Sequence, residues 1–208
     1  MNNNREYHYI LPTFCIEPNI VNDKDKNTNL EDIKNYKGNY RYRIPAELLE
    51  KVKLICSGFK GTKNFHNYTR KIVSSNPSSK RHIYEVSVDE LIEYENFEAI
   101  RFKIVGQSFL YNQIRKMIGI IIDICRNSKD IEYFSNTFLE EKFDIPKAPS
   151  EGLYLCKIDY TKYNNSNKTV IENNEIPPDT TAIVPPDEKG TNEIFNPLSM
   201  LTIVCPNN

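Results

Sequence analysis

The sequence predicts an α+β fold in which a mainly antiparallel β-sheet carries helices on one face. Residues 82–94 and 97–105 each alternate apolar and polar side chains, and Glu95-Asn96 between them suits a turn. An antiparallel strand pair is therefore expected. Residues 109–126 are apolar around much of a helical circumference, which is typical of a helix buried against a sheet.

The N-terminal part is expected to hold one strand, one helix and one ordered loop. Residues 7–11 form the expected strand, and Pro12 stops it. This strand has little chain before it to pair with, which is unusual because a strand needs partners. Apolar residues at helical spacing predict a helix from Pro45 to about Cys56. Turn-forming residues in 60–68 predict an ordered loop.

Four further elements are expected in the C-terminal part. Ser108 is predicted to cap the 109–126 helix, and a shorter helix is predicted over 131–142. Pro146-Lys147-Ala148-Pro149 forms a rigid connector. Residues 153–160 alternate as a last strand.

Length and composition allow one ordinary domain with additional segments. The chain has 208 residues, of which 39% are hydrophobic. Residues 1–160 are predicted to form the domain, with 17–39 as a polar surface insertion. Residues 161–208 contain half of the twelve prolines and are predicted to be a largely disordered tail.

Composition argues against several classes of protein. Five cysteines lie far apart without a Cys-x-x-Cys pair, and there are three histidines, so neither structural zinc nor a disulfide framework is expected. No apolar run reaches the length of a membrane span, and the N-terminus has no signal-peptide pattern. A soluble intracellular protein without a membrane partner is expected.

Arg115 is the most informative single residue. On a helix it lies one turn from Tyr111, Ile118 and Gly119, on an otherwise apolar face. A guanidinium in that position needs a carboxylate or phosphate, because a buried unpaired charge is costly. The alternative is that Arg115 reaches the solvent at the rim or pairs with a structural glutamate.

Two other groups of residues fit contacts to RNA. Tyr7 and Tyr9 share one face of their strand and are either ordinary sheet packing or a stacking platform for a flipped base. From Phe59 to His82 there is no acidic residue, although the net charge of the chain is −1. This segment is either a phosphate-binding surface or a solvated polar loop. Its candidate RNA-binding residues are Lys60, Lys63, His66, Arg70, Lys71, Lys80 and Arg81.

Five segments in order resemble the TruA-like family of tRNA pseudouridine synthases, in its eukaryotic multisite branch. Arg5-Glu6-Tyr7-His8-Tyr9 matches the Arg-x-Tyr-x-Tyr strand of the family. Residues 59–69 resemble its loop after a helix, and 106–119 match its longest motif. The series closes with 146–149 and 152–155. The resemblance identifies the chain as the C-terminal part of such a catalytic domain.

The resemblance implies an isomerase that cleaves the uracil N-glycosidic bond of tRNA, rotates the base and rejoins it through carbon. It implies no cofactor and no metal. Tyr7 would stack on the target base, and Arg115 would pair with the catalytic aspartate of an Arg-Thr-Asp motif. The nucleus is the expected location, with the mitochondrion and the cytoplasm as alternatives.

No Arg-Thr-Asp motif occurs in this sequence, and no aspartate precedes Asp23. We expect a truncated chain, ahead of a complementing fragment or a non-catalytic relic. The chain alone is then expected to be inactive. Alternatives to the enzyme are a non-catalytic RNA-binding module and, with least support, a structural or interaction protein.

Overall fold

The computed structural model describes residues 4–18 and 41–158, and these form one five-stranded antiparallel sheet with three α-helices. The expected tail and residues 19–39 of the expected insertion lie outside the described residues. The strands follow the order β2-β3-β4-β1-β5 across the sheet. In chain order the elements are β1 Arg5–Pro12, α1 Ala46–Gly58, β2 Gly61–Asn64, β3 Lys80–Glu93, β4 Glu98–Gly106, α2 Gln113–Arg126, α3 Ile131–Asn136 and β5 Leu153–Ile158.

Strand β1 lies inside the sheet, with a neighbour on each side. Tyr7 is paired with Ile104 of β4 and with Leu155 of β5. Both partners follow β1 in the chain, so the little chain that precedes the strand does not leave it unpaired. The expected hairpin of β3 and β4 is confirmed: Glu93 pairs with Glu98, and the Tyr94 amide donates to the Phe97 carbonyl.

The helices cover one face of the sheet. On β4, Phe102 and Ile104 are fully buried and belong to the same apolar cluster as the buried side of α2. The alternate residues Arg101 and Lys103 instead pair with carboxylates of β3. This division into a packed face and a charged face is what the alternating pattern predicts, and the α+β class is confirmed.

The helix α2 begins four residues later than predicted, and Ser108 does not cap it. Asn112 precedes its first residue with φ of 61°, in the left-handed region that a right-handed helix cannot include. The turn before it is closed by Gln113, whose side-chain oxygen accepts from the Leu110 amide at 2.8 Å.

The end of α3 also differs from the prediction, because of one asparagine. The predicted helix over 131–142 ends at Asn136, since the Asn67 side chain donates to the carbonyls of Thr137 and Glu141 and accepts from the Phe143 amide. These groups are then not available to a helical ladder.

The expected loop over 60–68 contains the short strand β2, followed by a 3₁₀ turn at His66–Tyr68. Strand β2 pairs with the start of β3, so that Lys63 lies opposite Arg81.

The connector Pro146–Pro149 is bound tightly to α2. A Cβ atom at Gly119 would overlap the Pro146 carbonyl oxygen, so only glycine permits this approach. The Ala148 amide donates to the Arg115 carbonyl at 3.0 Å, and the buried Tyr9 hydroxyl donates to the Pro149 carbonyl at 3.0 Å. The connector therefore joins α2 to strand β1 of the sheet.

Within the described residues, no helix is long and apolar enough to cross a membrane. The four cysteines of that part are free thiols, three of them buried. Burial raises the pKa of Cys15, Cys56 and Cys125 to about 12, so these thiols stay protonated and act as apolar core groups.

The substitution Gly119→Ala should destabilise the fold by about 3 kcal/mol or more, because the added methyl group meets backbone atoms rather than a flexible side chain. Chemical denaturation measures the change. The matched control is Gly61→Ala, where φ is +98° but no atom lies within 4 Å of the new Cβ. It should cost only about 1–2 kcal/mol for the strained backbone. Equal losses for the two variants would contradict the role given to Gly119.

The substitution Tyr9→Phe should lower the free energy of unfolding by about 1–3 kcal/mol, because it leaves the Pro149 carbonyl without its donor. Tyr7→Phe is the matched control, since the Tyr7 hydroxyl forms no hydrogen bond with the described residues. Denaturant unfolding of both variants is the measurement. A Tyr9→Phe protein as stable as the unmodified chain would rule out this bond as a stabilising contact.

Candidate active site

Tyr7 lies half-buried on the packed face of β1. Its ring meets Phe109 edge to face, with ring centroids 5.3 Å apart. Phe109 can approach because residue 106 is glycine: a Cβ there would lie 2.7 Å from the Phe109 ring. Tyr9, on the same face of the strand, is fully buried. The two tyrosines therefore differ: Tyr9 is core, while Tyr7 keeps a partly exposed ring that Phe109 holds in place.

Arg115 is anchored by a backbone carbonyl. Its Nε donates to the Ala148 oxygen at 2.7 Å, and the side chain is half-buried. Among residues 4–18 and 41–158, no carboxylate forms an ion pair with it. The sequence left open that Arg115 pairs with a structural glutamate, and no such glutamate is found among these residues. One edge of the guanidinium is fixed, and the two Nη groups keep their capacity to donate to an oxygen pair.

The structure brings Tyr7 and Arg115 to the same face of the sheet. Tyr9 lies between them: it is two residues from Tyr7 along β1, and its hydroxyl binds Pro149 beside the Ala148 carbonyl that holds Arg115. Burial raises the pKa of the Tyr9 phenol well above its usual range, and the nearby Arg115 charge lowers it in part. Tyr9 therefore stays a neutral donor that supports the connector.

The seven candidate RNA-binding residues do not share one environment. Lys63 places its ammonium over the Phe138 ring, 4.8 Å from the centroid. Arg81 donates to the carbonyls of Ser78 and Lys80, and its pKa is lowered by burial. Four others are exposed: Lys60, Arg70, Lys71 and Lys80.

His66 is buried and only 7% exposed. Its Nδ1 lies 3.1 Å from the Asn64 side-chain oxygen, which also accepts from the His66 amide. Its Nε2 is buried without a hydrogen-bond partner in the described residues. The contacts to Asn64 fit a structural histidine rather than a surface contact to RNA.

The exposed cations fall into two groups. Lys60 and Lys80 lie at the edge formed by β2 and the start of β3. Arg70 and Lys71 lie in the loop after the 3₁₀ turn, where Lys71 has φ of 60°. A lysine in the left-handed region is uncommon and strained. The basic segment predicted from the sequence is therefore divided in space.

Further cations near Arg70 were missed from the sequence. Lys116, Lys142 and Lys147 form a group with Arg70, since Arg70, Lys142 and Lys147 each lie close enough to Lys116 to interact with it electrostatically. They come from separate segments that only the fold brings together. The one feature of the sequence that could have indicated this group of cations was the position of Lys116 directly after Arg115.

One group of potential metal ligands occurs among the described residues. The ligand atoms of Glu6, His8 and Cys156 all lie within 4.8 Å of one another. They occupy the face of the sheet opposite Tyr7, and the His8 Nε2 is already bonded to Glu6 at 2.9 Å. The cluster is therefore separate from the Tyr7 and Arg115 site. The absence of a metal in the reaction stays a prediction.

Comparisons with known proteins identify the family of the chain. The tRNA pseudouridine synthase family matches residues 55–161. Over 160 residues the chain is 36% identical to the Pseudouridylate synthase 1 homolog of Mus musculus and 35% to that of Homo sapiens. The match spans 77% of this chain and 34% of each of these proteins.

The tRNA pseudouridine synthase 1 of Saccharomyces cerevisiae is 37% identical over 126 residues, which are 60% of this chain and 23% of the yeast protein. The chain thus spans about a third or less of the length of these curated relatives. The family match covers residues of α1, the β2–β3–β4 sheet, α2 and the connector, including Arg115. The chain belongs to the tRNA pseudouridine synthase family.

Proposed function

We propose that the protein converts uridine to pseudouridine in tRNA, and that this chain supplies the C-terminal part of the catalytic domain. The family match and the names of the relatives support this proposal. The reaction is an isomerisation: the bond from the ribose to the uracil nitrogen breaks, and a bond to a uracil carbon forms. The ring carbon that gains the ribose bond loses one proton, and the ring nitrogen that loses the bond gains one, so the composition of the nucleoside is unchanged.

The observation that carries the proposal is the orientation of Arg115. The Ala148 carbonyl holds Nε, so the two Nη groups lie in a fixed plane. A guanidinium fixed in this way binds a carboxylate through two parallel hydrogen bonds. It also lowers the pKa of that carboxylate and keeps it ionised. A catalytic aspartate needs both effects.

Tyr7 takes the role of stacking on the target uracil. Its ring is partly exposed, and its orientation is set by the edge contact with Phe109. A flipped base gains stacking energy from an aromatic ring that is already fixed. The Arg-Thr-Asp motif does not occur among the 208 residues, so the proposal assigns the catalytic aspartate to a further part of the protein.

The substrate proposal includes contacts to tRNA phosphates from the exposed cations Lys60, Arg70, Lys71 and Lys80. Lys63, His66 and Arg81 contribute through the internal contacts that shape β2 and the loop after it. The expected nuclear location belongs to the same proposal, and imaging of the tagged full-length protein tests it.

A second candidate function is a non-catalytic RNA-binding module. The absence of an Arg-Thr-Asp motif from the sequence, together with the exposed cations, favours it. The two functions differ in one measurement on the full-length protein: the enzyme forms pseudouridine in bound tRNA, whereas the module binds tRNA and leaves every uridine unchanged.

In the full-length protein, Arg115→Lys should reduce pseudouridine formation about 100-fold or more, because lysine keeps the charge but loses the planar fork that aligns the carboxylate. Release of tritium from tRNA labelled at uracil C5 measures the rate. Arg126→Lys, at the end of the same helix, is the matched control and should retain full activity. An Arg115→Lys enzyme with unreduced activity would refute the role of the guanidinium.

The 208-residue chain alone is expected to form no pseudouridine in tRNA. Chain purified to homogeneity and assayed with uridine-containing tRNA provides the test. Turnover by this chain would refute the assignment of the aspartate to a further part of the protein.

A further inference from the structure

A second basic surface surrounds the start of α2, on the side that continues from Arg115. It consists of Arg70, Lys116, Lys142 and Lys147 and the exposed ring of Tyr111, and we call it the Lys116 surface. These residues come from the loop after β2, from the beginning of α2 and from the segment between α3 and β5. Three separate parts of the chain therefore contribute to it.

Asn67 holds two members of this surface, Lys116 and Lys142, beside each other. The Lys116 ammonium donates to the Asn67 carbonyl at 2.9 Å. The Asn67 side chain donates to the Glu141 carbonyl at 3.0 Å and accepts from the Phe143 amide at 2.9 Å. Lys142 lies between these two residues in the chain, so its backbone is held on both sides beside Lys116.

Two further bonds place the remaining members. The Thr69 hydroxyl donates to the Tyr111 carbonyl at 3.0 Å, which holds Arg70, the next residue, beside Tyr111. Lys147 directly precedes Ala148, whose amide and carbonyl are both bound to Arg115. Since Arg115 and Lys116 are consecutive, the Lys116 surface begins where the candidate active site ends.

The charges on this surface repel one another. Burial lowers the pKa of Lys116, the Asp144 carboxylate raises it, and the charges of Arg70, Lys142 and Lys147 lower it further. Like charges held together by backbone bonds reduce stability, and among the charges that act on Lys116 one carboxylate, that of Asp144, faces three cations. The surface therefore fits a partner that brings several negative charges.

The exposed ring of Tyr111 favours a nucleic acid over an acidic protein as the anionic partner. Tyr111 is 71% exposed, although its backbone carbonyl accepts from the Thr69 hydroxyl. An exposed ring on a backbone that is anchored next to cations suits stacking on a nucleobase, as in surfaces that follow a single strand. An acidic protein would use the cations but would gain little from the ring.

We propose that the Lys116 surface binds the phosphate backbone of the RNA strand next to the reacting uridine, with Tyr111 stacked on a flanking base. The proposal rests on the proposed function and extends it to residues beyond Tyr7 and Arg115. The surface adjoins Arg115 along the same helix, so the strand it holds runs directly to the site of the reaction.

The test uses the 208-residue chain and fluorescently labelled tRNA, with the dissociation constant measured between about 50 and 200 mM salt. At the lowest salt concentration, the double variant Lys142→Gln/Lys147→Gln should bind the tRNA about tenfold more weakly than the unmodified chain. The slope of log affinity against log salt should fall by about 1.5–2, since two phosphate contacts are lost. Thermal unfolding should be little changed, because both substitutions are at half-exposed or exposed positions.

The matched control is Arg43→Gln/Lys53→Gln. Arg43 pairs with Glu93 at the turn end of the β3–β4 hairpin, and Lys53 pairs with Glu50 on α1, so both lie away from the start of α2. This control should leave affinity and salt slope unchanged. Equal effects of the two double variants would refute the Lys116 surface while leaving RNA binding intact. No binding by the unmodified chain would refute both this proposal and the contacts to tRNA on which it rests.

A second pair of variants tests the stacking. Tyr111→Ala should weaken binding about tenfold without changing the salt slope, because stacking releases no counterions, and Tyr111→Phe should bind normally. Tyr111→Ala with normal affinity, together with equal competition by polyglutamate and unlabelled tRNA, would show a site for acidic protein and refute the proposal.

Discussion

The contact between Gly119 and Pro146 is the constraint on which most of this structure depends. A glycine inside a helix costs about 0.5–1 kcal/mol relative to alanine, and here that cost allows the connector to lie against the helix backbone. The connector then presents three carbonyl or amide groups: two bind Arg115 and one binds Tyr9. The lack of a side chain at Gly119 thus allows the connector to position the side chain of Arg115. The prolines keep the connector extended, which suits it to this task.

One helix terminus serves two purposes because consecutive residues of a helix point about 100° apart. Arg115 faces the connector and the sheet, and Lys116 faces Asn67. Asn67 and the connector therefore act in the same way. A backbone carbonyl of the connector fixes Arg115, and the backbone carbonyl of Asn67 fixes Lys116, and neither neutralises the charge. A carboxylate in either place would have satisfied the same donors but would have removed the positive charge that an anionic substrate requires.

The sequence predicted the elements whose pattern is local and missed the features that depend on contacts between distant residues. Alternation in β3 and β4 and the apolar circumference of α2 were sufficient to predict the sheet and its buried helix. The start of α2 at Asn112 and the end of α3 at Asn136 were not predictable, since a left-handed residue and the distant side chain of Asn67 decide them. Arg115 was found from its place on an apolar helix face and Tyr7 from the alternation of its strand, and the resemblance to the family added their roles. Lys116, Lys142 and Lys147 were not found, because no local pattern joins them.

The position of β1 between β4 and β5 has a consequence for synthesis of the protein. Both partner strands follow it, the nearer one beginning at Glu98 and the farther one at Leu153. At a ribosomal rate of about 5–20 residues per second, β1 waits several seconds for its first partner and longer for its second. During this interval its apolar and aromatic side chains and its backbone amides are unpaired. The nascent chain therefore passes through a stage in which a chaperone that covers β1 would prevent pairing between neighbouring chains.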